Sequence, residues 1–171
     1  FICVNEGSGM ILDSPLFIHL LEKYVGMAGV KNECADPLSL PPSTGKRTAV
    51  VGAGPAGMAS AYYIRMKGHE CTLYEKEGAC GGEMRKSIPP GRLPREVLDA
   101  CIHLLRQWGC KIKTGITLGT EITLGDLINT YDAVILAVGR LEHDTSFLPS
   151  SLIHNNKIRI NKKTFQAGME R

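Results

Sequence analysis

The stretch from Thr48 to Glu75, TAVVGAGPAGMASAYYIRMKGHECTLYE, limits this chain more than any other. It sets a strand, a glycine turn, a helix, a second strand and an acid in that order. Ala49, Val50 and Val51 form a short apolar run of the kind that a parallel sheet buries on both faces. Gly52, Gly54 and Gly57 then satisfy G-x-G-x-x-G where that strand would feed a helix. The first glycine permits a tight turn, the second lets backbone approach a pyrophosphate, and the third lets helix and strand pack together. Pro55 suits the first helical turn, since the donor it lacks would have no intrahelical partner there. The free amides of the new helix, with Ala56 among them, would face the phosphates.

The pattern is helical from Ala56 to Lys67, with Gly68 as the stop. Cys71 to Tyr74 reads as the second strand, and Glu75 closes it. A carboxylate about 20 residues past the glycines is placed to accept hydrogen bonds from adenosine ribose hydroxyls. The same charge disfavours a ribose 2′-phosphate. The expectation is a dinucleotide-binding α/β unit.

At 171 residues the chain is long enough to bury a real core. Hydrophobic residues at 43% and charged residues at 22% are ordinary for a soluble globular domain. A net charge of +3, with both signs mixed along the chain, calls for neither nucleic acid nor an anionic membrane. No apolar run is long enough to span a bilayer. Cys3, Cys34, Cys71, Cys80, Cys101 and Cys110 include no C-x-x-C pair. A reducing cytoplasm is therefore the expected compartment. Cys71 and Cys101 read as small buried hydrophobes, and Cys80 stands out as the cysteine beside the glycines at 81 and 82.

Upstream, Ser14 and Pro15 look like a cap and first turn, and Leu16, Phe17, Leu20, Leu21 and Tyr24 recur at helical spacing. This predicts a helix from about Pro15 to Val25, ended by Gly26. Ala28 to Lys46, with Pro37, Pro41, Pro42 and Gly45, reads as a linker. The expected division is residues 1–46 as N-terminal helix and linker, and residues 47–171 as the dinucleotide-binding domain.

Downstream, Lys76 to Glu83 carries a second pair of glycines that would let another loop approach the same ligand, with Lys76 and Gly82 as contacts. An NAD domain does not generally need that second loop, so its presence favours FAD. Ser87 to Pro94 is a proline-bounded loop with Arg92 at its centre. Pro94 to Trp108 reads as a helix burying Val97, Leu98, Cys101, Ile102, Leu104, Leu105 and Trp108, with Gly109 as the stop. Cys110 to Lys113 is expected to be a short strand. Thr123 is expected to cap a short helix with Leu124, Leu127 and Ile128 on its face. Ala133 to Val138 is the most apolar strand, expected to be buried, and it ends on Ala137, Val138 and Gly139, where a ligand would cross backbone. Residues 140–156 carry few signals, and Lys157 to Ile160 alternates.

Together VVGAGPAG, YEKEGACGG, IPPGRLP and YDAVILAVG resemble the FAD-binding domain of the glutamate synthase small-subunit family, within the two-dinucleotide flavoproteins of the pyridine nucleotide-disulfide oxidoreductase superfamily. The resemblance covers about Thr48 to Gly139, and more loosely the upstream LFIHLLEKYV. It implies a Rossmann-like α/β domain with a parallel central sheet, preceded by an N-terminal helix. It implies FAD as cofactor, NAD(P)H as electron donor, and an iron–sulfur domain or subunit of the same enzyme as partner. Gly52, Gly54, Ala56 and Gly57 would then hold the pyrophosphate, Glu75 the ribose, and Gly82 with Arg92 the second contact. Leu118 would lie beside the adenine, and Ala137 to Gly139 over the cofactor.

The sequence departs from that family in lacking a second glycine fingerprint and clustered cysteine ligands. IRINKKTFQAGMER resembles the segment before the family's second FAD strand, and the chain stops short of the Gly-Asp pair that follows there. The chain is accordingly expected to be a piece of a longer polypeptide, and alone a weak flavin binder or a non-binder. Hydride transfer at a flavin requires no catalytic acid, base or nucleophile here. The alternatives are a non-catalytic dinucleotide-binding module and an NAD-dependent dehydrogenase domain.

Overall fold

A computed structural model describes residues 24–29, 40–140, 147–154 and 157–158. The chain divides into two compact units, residues 1–38 and 39–171. In the first, residues 24–29 are helical, so Gly26, expected as a stop, lies inside a helix. The rest of the expected Pro15 to Val25 helix, and residues 30–39 of the linker, fall outside the described residues.

In the second unit, β1 (Arg47–Val51), β2 (Glu70–Glu75), β3 (Lys111–Thr114) and β4 (Ala133–Leu136) form a parallel sheet in the order β3-β2-β1-β4. The helices between them are α1 (Pro55–Met66), a short α2 (Glu83–Lys86), α3 (Arg95–Gln107) and α4 (Leu124–Thr130). A 3-10 turn, Ser150–Leu152, leads into a small antiparallel pair, β5 (Ile153–His154) and β6 (Lys157–Ile158). The sheet confirms the expected Rossmann-like α/β class.

Alternation along the strands builds a core on each face, because successive side chains of a strand point to opposite sides. Val50, Cys71 and Leu73 pack with Ala61 of α1 and with Leu98, Ile102 and Leu105 of α3. On the other face Ala49, Val51 and Tyr74 pack with Leu124 and Leu127 of α4 and with Leu148 and Leu152. Trp108 is buried against Tyr62, ring centroids 5.0 Å apart, in the core role its spacing predicts.

Three expectations of burial are corrected. Cys101 lies on α3 but is exposed. It sits about 60° around the helix from Leu98, at 100° per residue, on the flank of the line that Leu98, Ile102 and Leu105 bury. Ile128 is 46% exposed because α4 buries Leu124 and Leu127, and Ile128 stands about 100° from the latter. The apolar β4 is only half-buried, since among the described residues it is an edge strand.

Local signals explain the element ends. Gly68 and Gly109 follow α1 and α3 with φ of 78°, a conformation that glycine adopts without cost. Thr123 accepts from the Asp126 amide at 3.1 Å, and the Asp126 carboxylate accepts from the Thr123 amide at 3.1 Å, closing a capping box.

Asp132, just before β4, accepts from the Arg47 amide at 2.8 Å and from Lys46 Nζ at 3.1 Å. The amide bond first, and then the ammonium, hold its carboxyl below the usual Asp range. A lowered folded pKa means that the ionised form favours the fold. Asp132→Ala is therefore expected to cost stability above the ordinary Asp value of about 3.9. That difference should vanish as pH falls through the lower folded value. Urea midpoints of both proteins across the acid range would check it, and a difference that persists in strong acid would refute the linkage.

Candidate functional site

The strand order locates the site. Chain progress runs outward from β1 to β2 and β3 on one side, and then returns to β4 on the other, so the order reverses between β1 and β4. In open α/β sheets, ligands lie in the crevice outside the carboxyl ends of the strands at such a reversal. The segments leaving β1 and β4 there are the glycine turn and Ala137 to Gly139.

The three glycines do three different jobs. Gly52 has φ of 101°, and a Cβ there would come within 2.3 Å of the Ala137 carbonyl oxygen. It lets β1 and β4 close on each other as the Ala137 amide bonds the Val51 carbonyl at 2.8 Å. Gly57 lies inside α1, where a Cβ would stand 1.7 Å from the Gly52 carbonyl oxygen, so it sets how closely helix and strand pack. A Cβ on Gly54 would meet nothing within 4 Å. Neither packing nor φ, at −76°, requires glycine at that position. The space above it is open.

Helix α1 starts at Pro55, and Met58 is the first residue to close its ladder, onto the Gly54 carbonyl at 3.0 Å. The opening amides of a helix lack intrahelical partners, so those of Ala56 and Gly57 are available to an anion. No acidic side chain stands in that first turn to compete.

Glu75 ends β2 and is 5% exposed. Its Oε2 accepts from the Ala53 amide at 2.7 Å and its Oε1 from the Glu77 amide at 3.0 Å. The acid is thereby fixed against the glycine turn. A carboxylate offers about four lone-pair sites, so two remain for further donors.

The second glycine loop closes over the first. The Gly81 amide donates to the Ala53 carbonyl at 2.8 Å, and a Cβ on Gly82 would stand 3.0 Å from the Gly54 Cα. Gly81 has φ of 124° and Gly82 of 48°, so the loop needs glycine for its shape as well as for its closeness. Cys80 is buried beneath it, and that burial first, then the charge of Glu75, push the thiol pKa up.

The remaining expected residues are placed less directly. Lys76 is exposed at the start of the second loop. Arg92 is exposed, with its amide on the Pro89 carbonyl at 2.9 Å, and its guanidinium has no protein partner among the described residues. Arg95 fastens that loop instead, donating to the Met84 carbonyl at 3.0 Å and the Ile88 carbonyl at 3.1 Å. Leu118 is 7% exposed in the core with Leu124 and Leu127, so its side chain has little free surface for a base. Val138 is half-buried at the end of β4, and Gly139 is exposed with φ of 77°.

Sequence reasoning missed α2, Arg85 and the Lys86–Glu77 pair at 2.7 Å. A helix of four residues between glycines and prolines carries no periodic signal. Among the described residues no group of three or more His, Cys, Asp or Glu is placed to hold a metal ion. No described helix is long and apolar enough to cross a membrane.

Residues 50–112 match the family described as the NAD(P)-binding Rossmann-like domain. The match runs from the last two residues of β1 through the glycine turn, Glu75, the second loop and all of α3 into the start of β3. Over that stretch the chain has the fold of an NAD(P)-binding Rossmann-like domain. Its relatives include NADPH-dependent oxidoreductase subunits. Among them is the NADPH-Fe(3+) oxidoreductase subunit beta of Geobacter sulfurreducens, 37% identical over 130 residues, which cover 75% of this chain and 19% of that protein. Another is the glutamate synthase [NADPH] small chain of Bacillus subtilis, 35% identical over 137 residues, covering 80% of this chain and 28% of that one. The chain thus spans less than a third of the length of either relative.

Solved structures agree on the fold of this Rossmann-like domain. FprA of Mycobacterium tuberculosis in complex with NADPH superposes with a TM-score of 0.51 at 19% identity, over 63% of this chain and 25% of that one. A 2-naphthoyl-CoA reductase superposes with a TM-score of 0.50 at 27% identity, over 69% of this chain and 18% of that one.

Proposed function

We propose that the chain is the FAD-binding part of an NAD(P)H-dependent flavin oxidoreductase that passes electrons from the nicotinamide through FAD to iron–sulfur or other acceptors. The observation that carries this reading is the second glycine loop drawn over the first, with Gly81 bonded to Ala53 and Gly82 against Gly54. A loop of this kind covers a dinucleotide already seated on the first turn. The relatives support the reading by name, since one is an NADPH-Fe(3+) oxidoreductase subunit and the other an NADPH glutamate synthase chain.

In this reading residues 47–171 form the FAD-binding domain, after an N-terminal helix and linker in residues 1–46. The amides of Ala56 and Gly57 take the pyrophosphate over Gly54, and Pro55 shapes the helix start. Glu75 accepts from the ribose, Lys76 and Gly82 lie alongside, and Arg92 offers a free guanidinium to a phosphate or flavin carbonyl. Ala137, Val138 and Gly139 give the cofactor a path over backbone, with Leu118 and its neighbours on the adenine side. The bound flavin would supply the redox chemistry, and these residues its position and electrostatics. An iron–sulfur domain or subunit is the proposed partner and the cytoplasm the proposed location.

A second reading, NAD(P) itself on this turn, is favoured by the family description of residues 50–112. Competitive titration with FAD, NADH and NADPH separates the two. FAD is expected to bind at least about tenfold tighter, a difference of about 1.4 kcal/mol. Preferential binding of NADH or NADPH would overturn the flavin reading.

A further inference from the structure

We propose that Arg85 is a positioning residue that latches the second glycine loop onto the dinucleotide turn, a role that rests on the dinucleotide reading of this site. Arg85 lies on α2, directly after the loop. Its Nε donates to the Cys80 carbonyl at 2.7 Å, and the same guanidinium pairs with Asp99 of α3. The peptide unit whose carbonyl Arg85 holds has its amide on Gly81, and that amide donates to Ala53 at 2.8 Å. One peptide plane is therefore gripped from both ends, by Arg85 on the α3 side and by the glycine turn on the other.

The grip extends further. The Ala53 amide is bonded to Glu75, the Glu77 amide to the same carboxylate, and the Glu77 side chain to Lys86 of α2. The Lys86 amide returns to the Gly82 carbonyl at 3.2 Å. First turn, ribose acid, second loop and α2 thus form one closed circuit, and Arg85 ties it to α3. A Cβ on Gly81 would strike Leu98 at 2.7 Å and Arg85 at 3.2 Å, so the loop is seated in a shallow socket with little room to shift.

Within the latch, the bond to the Cys80 carbonyl outweighs the ion pair. Asp99 is 59% exposed, and exposed pairs contribute little, whereas Arg85 is 26% exposed and its carbonyl partner lies under the loop. Removing Asp99 should matter less than removing Arg85.

Cys80 provides a readout independent of any ligand. It is 3% exposed beneath the loop, while Cys71 in β2 and Cys110 just before β3, at 1% and 4%, are buried in the core. If Arg85 latches the loop, Arg85→Ala should raise maleimide labelling of Cys80 about tenfold through local opening and leave Cys71 and Cys110 unchanged. Asp99→Ala should change it less than about twofold. If Arg85→Ala fails to fold, Arg85→Lys, which keeps the charge but not the planar donor, carries the test with an expected increase of about threefold. Labelling that stays flat at Cys80, or that rises equally at all three thiols, overturns the proposal.

FAD titration of the same proteins completes the experiment. The variant that opens Cys80 should bind FAD about tenfold more weakly, and FAD should protect Cys80 in the unmodified chain. Selective opening of Cys80 with unchanged FAD affinity would also overturn the link to the dinucleotide. If neither the unmodified chain nor a version extended through the next strand takes up a dinucleotide, the functional reading fails, and Cys80 labelling still decides whether Arg85 holds the loop.

Discussion

Gly57→Ala is expected to be the most damaging small substitution in the domain. The added carbon would stand 1.7 Å from the Gly52 carbonyl oxygen and 2.9 Å from its carbon, both backbone atoms that no rotamer can move aside. Helix α1 would have to lift off β1 and pull Ala61 away from Val50 and Leu73, with which it forms one core. Overpacking of this kind costs about 1–3 kcal/mol and more where backbone is the obstacle, a large share of the roughly 5–15 kcal/mol that holds a domain folded. The urea midpoint should fall accordingly, and an unchanged midpoint would show that α1 can move away from β1 without loss.

Gly54→Ala is the informative companion. It adds the same methyl group three residues earlier, into space where nothing lies within 4 Å and at a φ of −76° that any residue adopts. Stability should be kept, while dinucleotide affinity falls at least about tenfold, because the methyl group occupies the approach to the helix amides. Two alanines in one turn, one costing the fold and the other the ligand, would separate the roles of the glycines by measurement.

That separation also bears on which parts of the fold the amino-acid sequence makes legible. The glycine turn and Glu75 were legible because each needs a residue type that the physics of that position demands. Trp108 and the Leu98–Ile102–Leu105 face were legible because a repeat of three to four residues is what a helix buries. What stayed hidden depends on neighbours distant in sequence. β4 reads as a central buried strand from Ala133 to Leu136, and only its place at the edge of the described sheet leaves it half-exposed. Cys101 has the composition of a core position and fails by an angle around α3. Arg85 carried no pattern of its own, and its meaning comes from a carbonyl five residues back and a carboxylate fourteen residues on.

Glu75→Ala is expected to have the largest effect on ligand binding and a substantial one on stability. The side chain is 5% exposed and accepts from two backbone amides, Ala53 at 2.7 Å and Glu77 at 3.0 Å. Truncation leaves both donors without an acceptor, at a cost of about 1–3 kcal/mol for each one that water cannot reach. It also removes the side-chain tie between the glycine turn and the end of β2, leaving the Gly52 amide on the Tyr74 carbonyl at 2.8 Å, so the Ala53 peptide that receives Gly81 is held less firmly. Glu75→Gln separates these effects. Its single amide oxygen can serve one donor, while its NH2 would face the other, so the fold should weaken by less than in the alanine variant. Ribose hydroxyls donating to a full carboxylate make charge-assisted bonds, about twice as strong as those to a neutral amide. Dinucleotide affinity in Glu75→Gln should therefore fall about 10- to 100-fold, read by flavin fluorescence or calorimetry. Retained affinity together with lost stability would make Glu75 a structural clasp of the turn and move ribose recognition to another residue.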